Sequence, residues 1–252
     1  MKMNKAAAYV WEIISFPEKS LLAKRVPKKQ FLESGQLVSS DKKLFRENVK
    51  SIYWQYTLKP STCPVLPYRD HEREYPELAV LQIEVGSPKG HRRIAEVIHR
   101  VIPYPLMLGF FMEPDRLSLS IAPKRFSQSE QGAFVADRFF TTDWMDITNL
   151  NESESAFMDS LTWNNLPLTH YGALYNAWVD RFAGYECAKF SGSFIIDKAE
   201  KRMVGLSRCR EIESKISELR AELKKAAFNR QVELNTQIKT YEHELKQLIE
   251  SV

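Results

Sequence analysis

Residues 78–112 read LAVLQIEV-GSPKG-HRRIAEVIHRVI-PYP-LMLGFFM, and this stretch decides the fold. Leu78 to Val85 is an apolar run of strand length that ends at Gly86. The turn Gly86–Gly90 leads into a segment whose apolar residues Ile94, Val97, Ile98, Val101 and Ile102 fall on one helical face. Pro103 and Pro105 stop that helix, and Leu106 to Met112 is again nearly all apolar, as in a strand buried on both faces. Strand, helix and strand in this order predict a sheet with a helix on at least one face.

The flanking sequence extends the same sheet. KSIYWQYTLKP (50–60) alternates and is rich in β-branched and aromatic residues, so it reads as a strand ending at Pro60. RLSLSIAPKR (116–125) follows a Pro114-Asp115 turn and has the alternation of a strand with one wet face. GAFVADRFFTTDWMD (132–146) holds one further strand. Before the sheet, a helix is expected over about Lys5 to Ser15, and a second over SDKKLFRENV (40–49), with Ser40 and Asp41 at its cap. VPKKQFLESG (26–35) reads as a short basic turn.

The pattern changes after Asp146. Residues 169–192 form an amphipathic helix. From about Leu206 the seam Ile212, Ile216, Leu219, Leu223, then Leu234, Ile238, Tyr241, Leu245 and Leu248 has the 4-3-4 spacing of a coiled coil. Eleven residues separate Leu223 from Leu234, a step that keeps a straight helix in phase. With no Gly or Pro in KKAAFNRQ, the spacing predicts a continuous or tightly kinked helix; a hairpin turn at Phe228-Asn229 is the competing account. The seam serves self-packing on the chain's own earlier helix and partner binding equally well. The expected class is α+β: a small mixed sheet with flanking helices over 1–146, a helical connector over 147–205, and a long coiled-coil-like helix over 206–252.

Composition narrows the function classes. The net charge of +4 comes from interleaved acids and bases, which permits contact with nucleic acid without arguing for it. Cys63, Cys187 and Cys209 are odd in number and far apart, so neither a zinc site nor a disulfide framework is indicated and a reducing cytoplasm fits. The five histidines show no metal-ligand spacing, and no cofactor is implied. The N-terminal apolar stretch is broken by Glu12 and reads as a helix rather than a signal peptide. No apolar run is long enough to span a bilayer.

Two local patterns invite chemistry. Glu84 on its strand suggests the carboxylate of a Mg²⁺-dependent nuclease core, but the residue two positions on is Gly86, and the preceding strand carries no acid. Lys89, Arg92 and Arg93 cluster where a turn enters a helix, and Lys124 and Arg125 form a second basic spot. These five suit phosphate contacts with DNA, or simply a solvated surface. The helical tail carries nine basic and eight acidic residues over 206–252, a balance that suits a protein seam rather than a phosphate-binding arm.

Several segments, in order, resemble a bacterial family known as domain of unknown function 4391: LLAKRVPKKQFLE, SSDKKLFRENVKSIYWQYTLKPST, ELAVLQIEV, IAEVIHRVIPYPLML, RLSLSIAPKR, FFTTDWMD and the tail KKAAFNRQVELNTQIK. That resemblance implies no assigned activity. It implies companions of DNA methyltransferases and helicase-nuclease subunits in restriction-type and other phage-defence clusters, and so a non-catalytic accessory or adaptor subunit. Phe228 and Arg230 would then anchor a methyltransferase or helicase partner, with Asn229 setting register. The alternatives are a divergent nuclease centred on Glu84 and a homodimeric coiled-coil protein.

Overall fold

The computed structural model describes residues 5–34, 37–128 and 133–249. It is α+β, and the chain divides into two compact units, 1–182 and 183–252, with the division falling inside one helix. The first unit contains α1 (Lys5–Ile14), β1 (Leu21–Arg25), α2 (Lys28–Leu32), α3 (Ser39–Asn48), β2 (Val49–Leu58), the short pair β3 (Tyr68–Arg69) and β4 (Glu74–Tyr75), β5 (Leu78–Val85), α4 (His91–Val101), β6 (Leu106–Met112) and β7 (Arg116–Ile121). The short strands β8 (Lys124–Phe126), β9 (Phe134–Ala136), β10 (Phe140–Thr141) and β11 (Met145–Asp146) follow, then α5 (Glu152–Ser160) and the start of α6 (Tyr171–Ser191).

The main sheet has the order β1-β2-β5-β6-β7, with β10 and β11 both paired along the outer side of β7. β5 and β6 run parallel, joined by α4 as the sequence demands, while the other described pairings in this sheet are antiparallel. On one face α2, α3 and α4 set Phe31, Phe45, Ile94 and Ile98 against Ile52, Leu81, Ile83, Leu108 and Phe110. Each such side chain removed from water contributes about 1.5–3 kcal/mol. On the other face Trp11 of α1 lies edge-on to Phe111 and donates its indole N–H to Gln82 at 3.0 Å. It fits because residue 109 is glycine: a Cβ there would sit 2.7 Å from the indole Cη2. The buried Tyr175 hydroxyl of α6 donates to the carbonyls of Leu106 and Ala122 and accepts from the amide of Ala122, stitching the ends of β6 and β7.

Three local expectations change. Residues 28–32, read as part of a basic turn, form the helix α2, because Phe31 is buried against the sheet. Ser40 and Asp41 do not cap α3: its N-cap is Val38, without a side-chain hydrogen bond, and Asp41 is buried against Arg93. The polar face of β7 is not wet, because Ser118 and Ser120 are fully buried and donate to the carbonyls of Thr142 and Phe140.

The second unit contains the end of α6, α7 (Ala199–Leu223) and α8 (Phe228–Ile249). The expected continuous helix is not formed. Lys224–Ala227 turn the chain, and α7 and α8 close on each other, packing Ile212, Ile216, Leu219 and Leu223 with Ile238, Tyr241, Leu245 and Leu248. Equal 4-3-4 spacing on both sides of the turn lets one half-seam fill the other, and burying it outweighs the backbone bonds lost at the break. Arg208–Glu244 and Arg220–Glu242 ion pairs, each 2.7 Å, cross between the two helices.

Candidate functional site

The loop Gly86–Gly90, between the carboxyl end of β5 and the start of α4, is fixed at several points. Asn48, at the end of α3, holds it with four hydrogen bonds. Its Oδ1 accepts from the amides of Gly86 (3.1 Å) and Ser87 (2.7 Å), and its Nδ2 donates to the carbonyls of Ser87 (3.0 Å) and Lys89 (2.8 Å). Gly90 closes the loop at φ +74°, and a Cβ there would meet Leu44 at 2.7 Å, so both backbone and packing require glycine. Gly90, as N-cap, brings no side chain to the first turn of α4, whose leading amides have no intrahelical acceptor.

The 142–144 segment braces the loop from the other side. The Trp144 indole donates to the Pro88 carbonyl at 3.1 Å, and the buried His91 ring has its Nδ1 3.0 Å from that same carbonyl. Burial holds His91 below the usual imidazole range. Arg92 donates to the Thr141 carbonyl at 2.6 Å and to Asp143 at 2.5 Å.

The sequence-predicted cations separate on inspection. Arg93 is clasped by both oxygens of Asp41 at 2.8 Å and pairs with Glu96 at 2.7 Å; these partners raise its pKa and hold Asp41 down. Arg125 pairs with Asp137 at 3.3 Å. Lys124 does not reach the surface at all: it is 1% exposed, and its ammonium donates to the carbonyls of His99 and Ile102 at the end of α4. Its placement as a phosphate ligand is therefore corrected, because the carbonyls left open at a helix end hold the charge inside. Arg92, Arg93 and Arg125 are each compensated by a carboxylate. Of the five, Lys89 alone is exposed and outside any ion pair among the described residues.

Glu84 is half-buried and accepts the Ser51 hydroxyl at 2.6 Å across the β2–β5 register. Among the described residues no group of three or more His, Cys, Asp or Glu is placed to hold a metal ion. Glu84 thus has the surroundings of a sheet residue with a hydroxyl partner. A second arrangement with catalytic residue types, His99 Nε2 at 3.1 Å from Ser120 Oγ, is fully buried, and Ser120 also meets the Thr141 hydroxyl at 2.9 Å. Its visible work is to fasten β10 to β7.

At the hairpin, Arg230 donates to Glu222 at 3.0 and 3.1 Å and to Glu233 at 2.9 Å, so its guanidinium is committed within the chain. Asn229 is exposed in the first turn of α8. The side chain of Phe228 lies outside the described residues.

The sheet order, the loop clamp and the hairpin can now be set beside known proteins. The family model described as Domain of unknown function (DUF4391) matches residues 14–245. The chain belongs to this family. The match runs through both units, so the hairpin is part of the DUF4391 domain rather than an appendage to it. No curated protein and no solved structure matches the chain. The DUF4391 chain has three cysteines, all buried and unpaired, and no described helix is long and apolar enough to cross a membrane. Sequence reasoning missed Asn48, His91, Asp143 and Trp144 as the setting of the loop. An asparagine ending a helix 38 residues before its partner loop leaves no local signal.

Proposed function

We propose that this DUF4391 chain is a non-catalytic accessory subunit that docks on a larger protein through its α7–α8 hairpin, within a DNA-modifying or DNA-translocating assembly of the kind found in phage-defence clusters. The observation that supports it most is that the hairpin fills its own seam and still leaves Val204 (76% exposed) and Val232 (55% exposed) facing solvent. A helical pair with an internal core and spare apolar residues outside it suits recognition of a partner's groove or helix. With Arg230 committed to Glu222, the proposed contacts are Val204 on α7 and Val232 on α8 rather than the turn.

The test is an affinity capture of the full chain from its native host, read by mass spectrometry, beside the double variant Val204→Glu/Val232→Glu. A methyltransferase or helicase subunit captured by the first and lost from the second is the expected result. Identical partners with both, or none with either, would remove the hairpin as the docking element.

A further inference from the structure

The compensated arginines draw attention to cations that have no such partners. Lys19 to Lys50 holds nine basic and three acidic residues, a local charge of +6 in a chain whose total is +4, so the rest of the chain carries −2. Two of those acids are spent internally, Glu33 on Lys29 and Asp41 on Arg93, leaving Glu47. Among the described residues, Lys24 and Arg25 of β1, Arg46 of α3 and Lys50 of β2 form no ion pair, and all four are exposed.

The fold places these cations along one line. β1 runs antiparallel to β2 with Lys24 opposite Trp54 and Arg25 opposite Tyr53, and the Val26 amide continues the ladder to the Ile52 carbonyl at 2.9 Å. Lys28 then reaches the Val49 carbonyl at 2.7 Å and the Arg46 carbonyl at 3.5 Å, bringing the end of β1 to the last turn of α3. Lys50 lies beside the Gly86 loop, where a Cβ on Gly86 would touch its Cε at 3.4 Å. Asn48 fixes Lys89 in the same loop through the Lys89 carbonyl. Lys24 and Arg25 on the edge strand β1, Arg46 at the end of α3, Lys50 at the start of β2 and Lys89 after β5 thus lie across one end of the sheet, from its free edge to the start of α4.

We infer that this line of cations binds the phosphate backbone of duplex DNA. The extended segment from Lys24 to Pro27 alone covers roughly 10 Å and presents two of the cations. An extended row of separated cations matches a regular row of phosphates, and it supplies position rather than sequence reading. The exposed Leu21 and Leu22 precede Lys24 and Arg25 in β1 and lie at one end of the line of cations rather than within it, whereas a membrane-inserting surface would be ringed by them. Single-strand binding would call for a row of exposed aromatic platforms beside the cations; the neighbouring Tyr53 and Trp54 are half-buried, and the exposed Tyr104 against Trp54 supplies a single ring. The inference does not depend on the hairpin, whose Val204 and Val232 take no part in it.

The experiment is fluorescence anisotropy of a labelled duplex of about 20 base pairs with the full chain, titrated across a salt series. Five phosphate contacts predict a slope of log K against log salt of about −4.5. The variant Lys24→Gln/Arg25→Gln/Lys50→Gln is expected to bring the slope to about −2 and to weaken binding by about two orders of magnitude at 0.1 M salt. Arg208→Gln/Arg220→Gln removes two ion-paired cations of the hairpin and is expected to stay within about twofold of wild type. Lys50→Glu alone, at an exposed position, is a second variant that loses at least tenfold should the triple variant fold poorly. The inference is overturned by a salt-independent or absent complex, by unchanged affinity in both edge variants, or by equal losses in the hairpin control. Tighter binding to phosphatidylserine vesicles or to single-stranded DNA than to the duplex would also overturn it.

Discussion

Lys124 donates its ammonium to the carbonyl of Ile102 at 3.0 Å, placing a buried positive charge at the last turn of α4. Burial pushes the Lys124 pKa down to about 8 from an ordinary lysine's 10.5. The unfolded chain therefore binds more protons between these values, and stability rises as pH is raised through the window. Measured against Lys124→Met, the wild type should gain up to about 3 kcal/mol from pH 7 to 10 that the variant lacks. Parallel pH–stability curves for the two proteins would refute this.

His99 gives the opposite end of the pH scale. It is fully buried with Nδ1 unpaired, and burial together with the charge of Lys124 holds its pKa well below the ordinary 6.5. Its contribution is present in full above pH 6.5 and is lost on acidification, as the unfolded chain takes up a proton that the folded chain refuses. Between pH 6.5 and 5 the wild type should lose stability with up to one proton's extra slope, about 1.4 kcal/mol per pH unit, relative to His99→Gln. Urea denaturation at half-unit pH steps measures it; coincident slopes would count against it.

Asn48→Ala removes four hydrogen bonds from the Gly86–Gly90 loop at once. Water can replace part of them, so a loss of about 2 kcal/mol is expected rather than the sum of four buried bonds. The more telling readout is local. Amide exchange at Gly86 and Ser87 should accelerate while the amides of β6 stay protected, and uniform protection would show that the loop is held by other means.

Gly109→Ala should cost about 1–3 kcal/mol, because its methyl group meets the Trp11 indole and the edge of the Phe111 ring, which can give way only where Trp11 is absent. In a Trp11→Leu background the same change should cost much less, so a double-mutant cycle is expected to show a coupling of at least about 1 kcal/mol. Additive losses would mean that α1 shifts rather than resists.

The centre of the sheet was legible because β5 and β6 are short apolar runs bounded by Gly86 and Pro105, and α4 between them carries one apolar helical face. β1 was not legible: a strand exposed at every residue has no inward face to mark in the sequence. The Asp41–Arg93 clasp joins residues 52 apart, and each reads locally as an ordinary helix charge. Lys124 reads as a surface cation beside a proline, since only the folded chain brings the end of α4 to it. The hairpin was hidden by an arithmetical coincidence. An eleven-residue step is in phase with a straight helix, and the turn at Lys224–Ala227 uses neither glycine nor proline.

That four-residue turn also sets a concentration scale. The contacts of the seam lie between α7 and α8, so two chains that exchanged their α8 helices would rebuild the same seam and alter only the turn. A tether this short gives each α7 an effective concentration of its own α8 in about the millimolar range. Far below that concentration the closed hairpin outcompetes exchange. Shortening the turn, or straightening it into continuous helix, shifts the same sequence from a folded arm toward a linked pair of chains.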